Sequence, residues 1–191
     1  MRKLIAGMNM TLDGFCDHTV MIADEEIHDH YTEVLRNSGL LLYGRITYQL
    51  MESYWPMVVR NPTGDRSTDA FALVMNEIPK IVYSRSLRKV DWKTATLRKE
   101  VVREEILSLK QQSGKDILVG SPSLIVTLAN LGLVDEFQLG VQPILAGKGL
   151  SLFKNLSERI DLNLLKTKRF GCGAVMLYLT PRPPLRKTEM G

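Results

Sequence analysis

Glycine, arginine and hydroxyl side chains occur together at three places where an apolar run ends. The first is Leu41–Thr47, in which Gly44 precedes Arg45 and Thr47. Backbone amides at a helix start attract anions, a glycine lets a ligand approach them, and an arginine fork suits phosphate. A tight turn with a solvated arginine would use the same residues. Gly44, Arg45 and Thr47 are therefore candidate phosphate ligands.

The second place is Asp116–Leu124, where a glycine and a serine follow an apolar run. Ser121 is a natural N-cap and Pro122 a natural first helical residue, so a helix is predicted to begin here. Caps of this kind are common, but two such junctions in one small sheet suit a dinucleotide with several phosphates. The candidate ligands at this junction are Gly120, Ser121, Pro122, Ser123 and Leu124.

The third place is Tyr83–Ser86, where Ser84 and Arg85 follow an apolar run. A phosphate on the adenosine ribose would select such groups, although a polar strand exit would look the same. We predict that the protein binds NADPH more tightly than NADH and that Arg85→Ala reduces this difference in affinity. The sequence contains neither G-x-G-x-x-G nor a Walker lysine motif, which disfavours ordinary dinucleotide folds and P-loop enzymes.

The composition is that of one globular domain. The chain has 191 residues, of which 45% are hydrophobic and 24% charged, with a net charge of +4. That small excess suits an anionic ligand and does not indicate nucleic acid. Cys16 and Cys172 form no C-x-x-C motif, so we expect no metal site. Because no signal peptide or membrane segment is predicted, we expect a cytoplasmic protein that does not bind membranes. We expect residues 1–180 to fold as one domain and residues 181–191 to form a flexible tail.

Apolar runs and helical periodicity alternate along the chain. Strands are predicted at Lys3–Met10, Leu40–Tyr43, Lys80–Ser84, Asp116–Val119, Asp135–Leu145, Asn163–Phe170 and Ala174–Thr180. Helices are predicted at Asp24–Asn37, from Ile46 to before Pro56, and at Asp69–Asn76, Glu100–Gln112 and Pro122–Leu131. The early alternation predicts a mainly parallel sheet covered by helices, and the helix-poor end predicts an antiparallel edge.

In this order, the three junctions resemble the cofactor-binding segments of the dihydrofolate reductase-like family. The resemblance is closer to the reductase domain of bacterial riboflavin biosynthesis and its stand-alone relatives. It rests on Thr11–Gly14, Leu42–Tyr48, Gly132–Glu136 and Pro143–Phe153 and covers about residues 2–180. It implies an α/β three-layer sandwich that binds NADPH. The deaminase half of the bifunctional riboflavin enzyme would add H-x-E and P-C-x-x-C motifs, which this sequence lacks.

The resemblance places the substrate beside the first helix. Where dihydrofolate reductases usually carry an acidic residue, this chain has His28, followed by Asp29. Helical spacing puts His28 beside the apolar stripe, which suits either a pocket edge or a packing histidine, and it predicts that Asp29 and His30 face solvent. His28, Asp13 or water would supply the proton, although Asp13 is also a turn residue. The candidate substrate wall consists of Asn9, Tyr31 and Trp55.

These observations predict an NADPH-dependent reductase of a small heterocycle, either a riboflavin-pathway aminouracil or a pterin-like ring. His28→Ala is predicted to lower turnover at least about tenfold without affecting folding or NADPH binding. The alternative is a non-catalytic or regulatory nucleotide-binding protein on the same scaffold. We also expect a homodimer, because the stand-alone relatives commonly pair and the closing strands leave a long edge open.

Overall fold

A computed structural model describes residues 1–16, 19, 22 and 24–183. In this part of the chain, eight strands form one sheet in the order β4-β3-β2-β5-β1-β6-β8-β7. The strands are β1 (Leu4–Thr11), β2 (Ser38–Gly44), β3 (Lys80–Tyr83), β4 (Ala95–Arg98), β5 (Asp116–Val119), β6 (Glu136–Gln142), β7 (Leu162–Arg169) and β8 (Val175–Pro181). The helices are α1 (Glu25–Arg36), α2 (Arg45–Arg60), α3 (Arg66–Glu77), α4 (Arg103–Gln111) and α5 (Pro122–Asn130). The flexible tail predicted over 181–191 lies outside this range from residue 184 onward.

The sheet separates two helical layers. The six neighbouring strands β4, β3, β2, β5, β1 and β6 run parallel, whereas β8 is antiparallel to both β6 and β7. Along β2, Leu40 and Leu42 pack in a core with α4 and α5, and Leu41 and Tyr43 pack in a second core with α1 to α3. Burial on both faces explains why the central strands are apolar throughout. The predicted three-layer sandwich with an antiparallel edge is confirmed.

Some predicted boundaries are wrong. Helix α2 does not stop before Pro56 but continues to Arg60. A proline inside a helix removes one backbone hydrogen bond, and the burial of Val58 in the next turn favours continuation. Strand β4 was not predicted, because its four residues form no apolar run. Helix α4 begins at Arg103 rather than Glu100, which leaves residues 99–102 as a connection after β4.

Lys80, the first residue of β3, is 1% exposed and lies in the core beside Trp92. Its Nζ donates hydrogen bonds to the Ile78 carbonyl at 2.6 Å and to Thr94 Oγ1 at 3.0 Å, and it lies 4.1 Å from the centre of the Trp92 ring. Burial lowers the pKa of Lys80 to about 7. Lys80 therefore links the start of β3 to the connection before β4.

Among the described residues, no helix has the length and apolar character needed to cross a membrane. The same residues contain no group of three or more histidine, cysteine, aspartate or glutamate side chains arranged to hold a metal ion.

Candidate functional site

A pocket of about 330 Å³ lies at the carboxyl edge of the sheet, where β2, β3, β4 and β5 end. Five residues predicted from the three sequence junctions line it, namely Gly44, Ser84, Arg85, Ser123 and Leu124. The other lining residues are Tyr83, Lys99, Glu100, Val101 and Thr127. The parallel sheet thus brings three junctions that are distant in sequence to one place, as expected for ligand sites in open α/β sheets.

Helices α2 and α5 begin beside this pocket without a side-chain cap. Gly44, the N-cap of α2, has no side chain, and the side chain of Ser121, the N-cap of α5, does not bond to a first-turn amide. Helix α4, which begins just after the lining residue Val101, likewise has no side-chain cap. By contrast, Asp24 caps α1 by accepting from the Ile27 amide, and Asp65 caps α3. Uncapped first-turn amides, together with the positive end of the helix dipole, attract an anion.

Ser121 does not cap α5 with its side chain, contrary to the sequence-based prediction. Its Oγ instead accepts a hydrogen bond of 2.8 Å from the Gly44 amide, which ties the end of β2 to the start of α5. Ser121 is 1% exposed, so this bond is part of the structural frame of the pocket. The amides of α5 are thereby left available.

Glycines keep the space between these strand ends free. A Cβ added to Gly44 would stand 3.7 Å from both Ser121 Cβ and Ser123 Oγ and would occupy the gap between β2 and α5. A Cβ at Gly120 would stand 3.8 Å from the Gly7 carbonyl oxygen of neighbouring β1. The absence of a side chain at these two positions therefore leaves the backbone open to the approach of a ligand.

Charged side chains lie at the outer rim of the pocket. Arg85 Nη2 is 3.0 Å from Glu100 Oε2, and Lys99 lies beside them. Arg45, which was predicted to bind phosphate, lies on the exposed first turn of α2 and donates to Gln49 Oε1 at 3.2 Å. The other predicted ligands are half-buried at the two helix starts, Thr47 in α2 and Pro122 in α5.

Sequence reasoning missed the rim residues contributed by the segment after β4. Lys99, Glu100 and Val101 line the pocket because β4 pairs in parallel with β3. Glu100 and Val101 were assigned to the start of a helix and Lys99 to no element, so no strand end was placed there. Thr127 was also missed. The sequence signal that could have found it is its position one helical turn after Ser123. In the structure its hydroxyl donates a hydrogen bond of 3.0 Å to the Ser123 carbonyl.

On the substrate side, Asn9 and Tyr31 form a hydrogen-bonded pair. The Tyr31 hydroxyl donates to Asn9 Oδ1 at 2.7 Å, and burial raises the pKa of Tyr31, so the hydroxyl keeps its proton. Asn9 lies opposite Gly140 of β6, where an added Cβ would clash with Asn9 Oδ1. Sequence reasoning missed Gly140, whose lack of a side chain makes room for the Asn9 carboxamide.

His28 lies in a different group, between the helices. Its ring centre is 6.0 Å from that of Phe71 on α3 and 6.5 Å from that of Trp55 on α2. Its Nδ1 is 3.5 Å from Thr68 Oγ1. Trp55 in turn packs on Phe71 at 4.5 Å between ring centres and donates from Nε1 to Met51 Sδ at 3.1 Å. His28 and Trp55 are both half-buried, and these contacts fit a packing role, while their roles toward a substrate stay predictions.

Asp13 binds the loop that follows β6. Its carboxylate accepts hydrogen bonds from the Thr11 hydroxyl at 2.6 Å and from the Gly147 and Ala146 amides at 2.7 and 3.1 Å. These bonds lower the pKa of Asp13 to about 2. Its role as a proton donor stays a prediction, and an ionised carboxylate held in this way fits the turn role better.

His30 does not face solvent as predicted. It is half-buried, with its ring centre 5.3 Å from that of Phe170 and 6.5 Å from that of Tyr178. Burial, reinforced by Lys168 and Lys166, lowers the pKa of His30 to about 4. Asp29 is exposed as predicted and lies 3.5 Å from Arg66 on α3. The α1 carboxylate that follows His28 therefore pairs with α3 rather than with Asn9 and Tyr31.

The sheet order, the two helical layers and the pocket at the carboxyl edge define an α/β protein of the dihydrofolate reductase-like fold. The chain belongs to the RibD C-terminal domain family, whose model matches residues 2–176. Membership supports an oxidoreductase.

Relatives agree with this placement. The chain is 35% identical over 180 residues to the uncharacterized protein YyaP of Bacillus subtilis (strain 168), covering 92% of this chain and 93% of YyaP. Among solved structures, a protein assigned to riboflavin biosynthesis from Shewanella sp. PV-4 has a TM-score of 0.72 at 17% identity, covering 95% of this chain and 99% of that one. A diaminohydroxyphosphoribosylaminopyrimidine deaminase/5-amino-6-(5-phosphoribosylamino)uracil reductase from Thermotoga maritima has a TM-score of 0.63 at 15% identity, and the match covers 95% of this chain and 57% of that one. At these identities the solved structures establish the fold.

Proposed function

We propose that this protein is an NADPH-dependent reductase that transfers hydride to a small heterocycle of the riboflavin-pathway aminouracil or pterin-like type. The observation that carries the proposal is the pair of uncapped helix starts, α2 and α5, at one glycine-lined pocket. Membership of the RibD C-terminal domain family supports the reaction class. The reductase named among the structural relatives supports the aminouracil alternative.

The residues at the pocket fit the charged parts of the cofactor. Amides at the starts of α2 and α5 would hold its pyrophosphate, and Gly44, which lines the pocket, places no side chain between them. Ser84 and Arg85 would hold the phosphate on the adenosine ribose. When bound, NADPH supplies the hydride, and the protein contributes orientation and exclusion of water.

The pair formed by Asn9 and Tyr31 is the best candidate for orienting the ring of the substrate. The Tyr31 hydroxyl engages Asn9 Oδ1, and Asn9 Nδ2 would donate to an oxygen or nitrogen of the heterocycle. The low pKa of Asp13 keeps its carboxyl ionised at neutral pH, so the required proton would come from His28 or from water. The packing of His28 against Trp55 and Phe71 favours water.

One contact favours the alternative, a non-catalytic or regulatory nucleotide-binding protein. The bond from the Gly44 amide to Ser121 Oγ occupies a donor that a phosphate would otherwise use. Weaker cofactor binding would follow from the loss of that donor.

Calorimetric titration with NADPH, followed by NADPH oxidation assays with pyrimidine and pterin substrates, tests the proposed function. A reductase binds NADPH and oxidises it only when a heterocycle is present. Binding without oxidation across the substrate panel would favour the non-catalytic alternative, and no binding would reject both.

We also propose a homodimer. Strand β7 forms an edge of the sheet, and its Leu164 and Leu165 are each 57% exposed. An open edge with exposed leucines favours pairing with a second copy. Light scattering at micromolar concentration should give twice the monomer mass of 21.6 kDa, and the monomer mass would reject the proposal.

A further inference from the structure

Glu100 forms an ion pair with the arginine that we assign to the ribose phosphate of NADPH. Its Oε2 lies 3.0 Å from Arg85 Nη2, and both side chains are exposed at the rim of the pocket. We propose that Glu100 sets the coenzyme selectivity of this protein by competing with the 2′-phosphate for Arg85. This inference rests on the proposed function, because it concerns the same pocket.

The sheet itself brings the two side chains together. Strands β3 and β4 are parallel neighbours, and their last residues, Tyr83 and Arg98, are register partners. Arg85 and Glu100 each lie two positions beyond those partners, so the two chain segments leave the sheet side by side. The ion pair is thus a consequence of strand register.

The charges that line the pocket make the competition specific for a phosphorylated ribose. Its described ionic residues are Arg85, Lys99 and Glu100, two cations and one carboxylate. A phosphate monoester carries about 1.5 to 2 negative charges at neutral pH. A phosphate that takes Arg85 Nη2 must displace Glu100, and one that takes the other guanidinium donors is repelled by the carboxylate nearby. The ribose hydroxyl of NADH carries no charge and leaves the ion pair undisturbed.

Glu100→Gln tests this inference, because it removes the charge and keeps the size of the side chain. In calorimetric titrations of the full chain, we expect the Kd for NADPH to fall at least about fivefold and the Kd for NADH to change by less than about twofold. The gain should shrink at high salt, since exposed charges are screened. Glu105→Gln is the matched control, because Glu105 pairs with Arg98 at 3.1 Å and does not line the pocket.

A double-mutant cycle identifies Arg85 as the group through which Glu100 acts. In the Arg85→Ala background, Glu100→Gln should no longer tighten NADPH binding. The inference is overturned if Glu100→Gln changes both coenzymes equally or neither, or if its gain persists without Arg85. If the unmodified protein binds neither NADPH nor NADH, the proposed function fails and this inference fails with it.

Discussion

The two halves of the carboxyl edge of the sheet differ in whether side chains satisfy their polar groups. At the ends of β2 and β5, helices α2 and α5 begin without side-chain caps, and glycines keep the space above them open. At the ends of β1 and β6, side chains satisfy one another: Asp24 caps α1, Tyr31 donates to Asn9, and Asp13 accepts from the loop after β6. We refer to these as the open half and the closed half.

The difference indicates what each half is built to contact. A helix start without a cap leaves backbone donors that an anion can satisfy, whereas capped and paired groups are already stabilised. Charge recognition therefore belongs to the open half, and the closed half presents a fixed hydrogen-bonding surface to a neutral ring. Changes in the open half should therefore affect cofactor binding, and changes in the closed half should affect turnover or stability.

The largest effect is expected in the open half from Gly44→Val. Its side chain would fill the gap beside Ser121 and Ser123 and keep phosphate from the backbone amides. Losing about two charge-assisted hydrogen bonds weakens NADPH binding on the order of 100-fold. Calorimetry measures the affinity, and a thermal melt checks that folding is retained. Gly171→Val, on the surface beside Glu26, is the control, and unchanged NADPH affinity in Gly44→Val would place the phosphates elsewhere.

Tyr31→Phe tests the closed half. Without the hydroxyl, the Asn9 carboxamide loses the bond that orients it, so turnover of the best substrate should fall about tenfold while NADPH affinity is unchanged. Steady-state kinetics and NADPH titration give the two quantities. Tyr54→Phe, at an exposed position of α2, should change neither. Equal loss of NADPH affinity in Tyr31→Phe would remove the distinction between the halves.

His28→Ala separates packing from catalysis at the contact of α1 with α2 and α3. Because His28 contacts Trp55 and Phe71, we expect the free energy of unfolding to fall by about 1–2 kcal/mol with turnover retained. Chemical denaturation and an activity assay on the same preparation measure both. A tenfold loss of turnover at unchanged stability would restore the catalytic role that the sequence suggested.

The smallest effect is expected from Asp24→Ala, which removes the cap of α1. The loss of one N-cap lowers the free energy of unfolding by about 1 kcal/mol. NADPH affinity should stay the same, because α1 does not line the pocket. Urea denaturation with and without NADPH measures both quantities, and a weaker NADPH complex would show that the two halves are coupled.

Local patterns were sufficient to predict most of the sheet and the open half. Gly44, Ser84 and Gly120 follow apolar runs directly, so strand ends and helix starts could be read from neighbouring residues. Parallel pairing then determined that these ends lie together. Strand β4 lacked such a pattern, and with it the positions of Lys99 and Glu100 were missed.

The closed half depends on contacts between distant segments, which helical spacing cannot reveal. His30 was placed toward solvent because the closing pair of strands, which carries Phe170 and Tyr178 against it, lies far away in sequence. The space for Asn9 similarly depends on Gly140 in the neighbouring strand. Pairing between strands β1 and β6 was needed to bring those two residues together.

The buried amine of Lys80 allows chemical labelling to measure how often the sheet edge formed by β4 and β3 opens. Lys80 begins β3, and Ser84 at the pocket follows the other end of the same short strand. A reagent that modifies amines reaches the sealed Nζ only when β3 and β4 separate transiently, so the rate of mass gain at Lys80 reports how often that edge opens. A ligand held at Ser84 would have to be released before such an opening. If NADPH slows the labelling of Lys80, the ratio of the two rates measures how much the bound ligand reduces the opening of this edge.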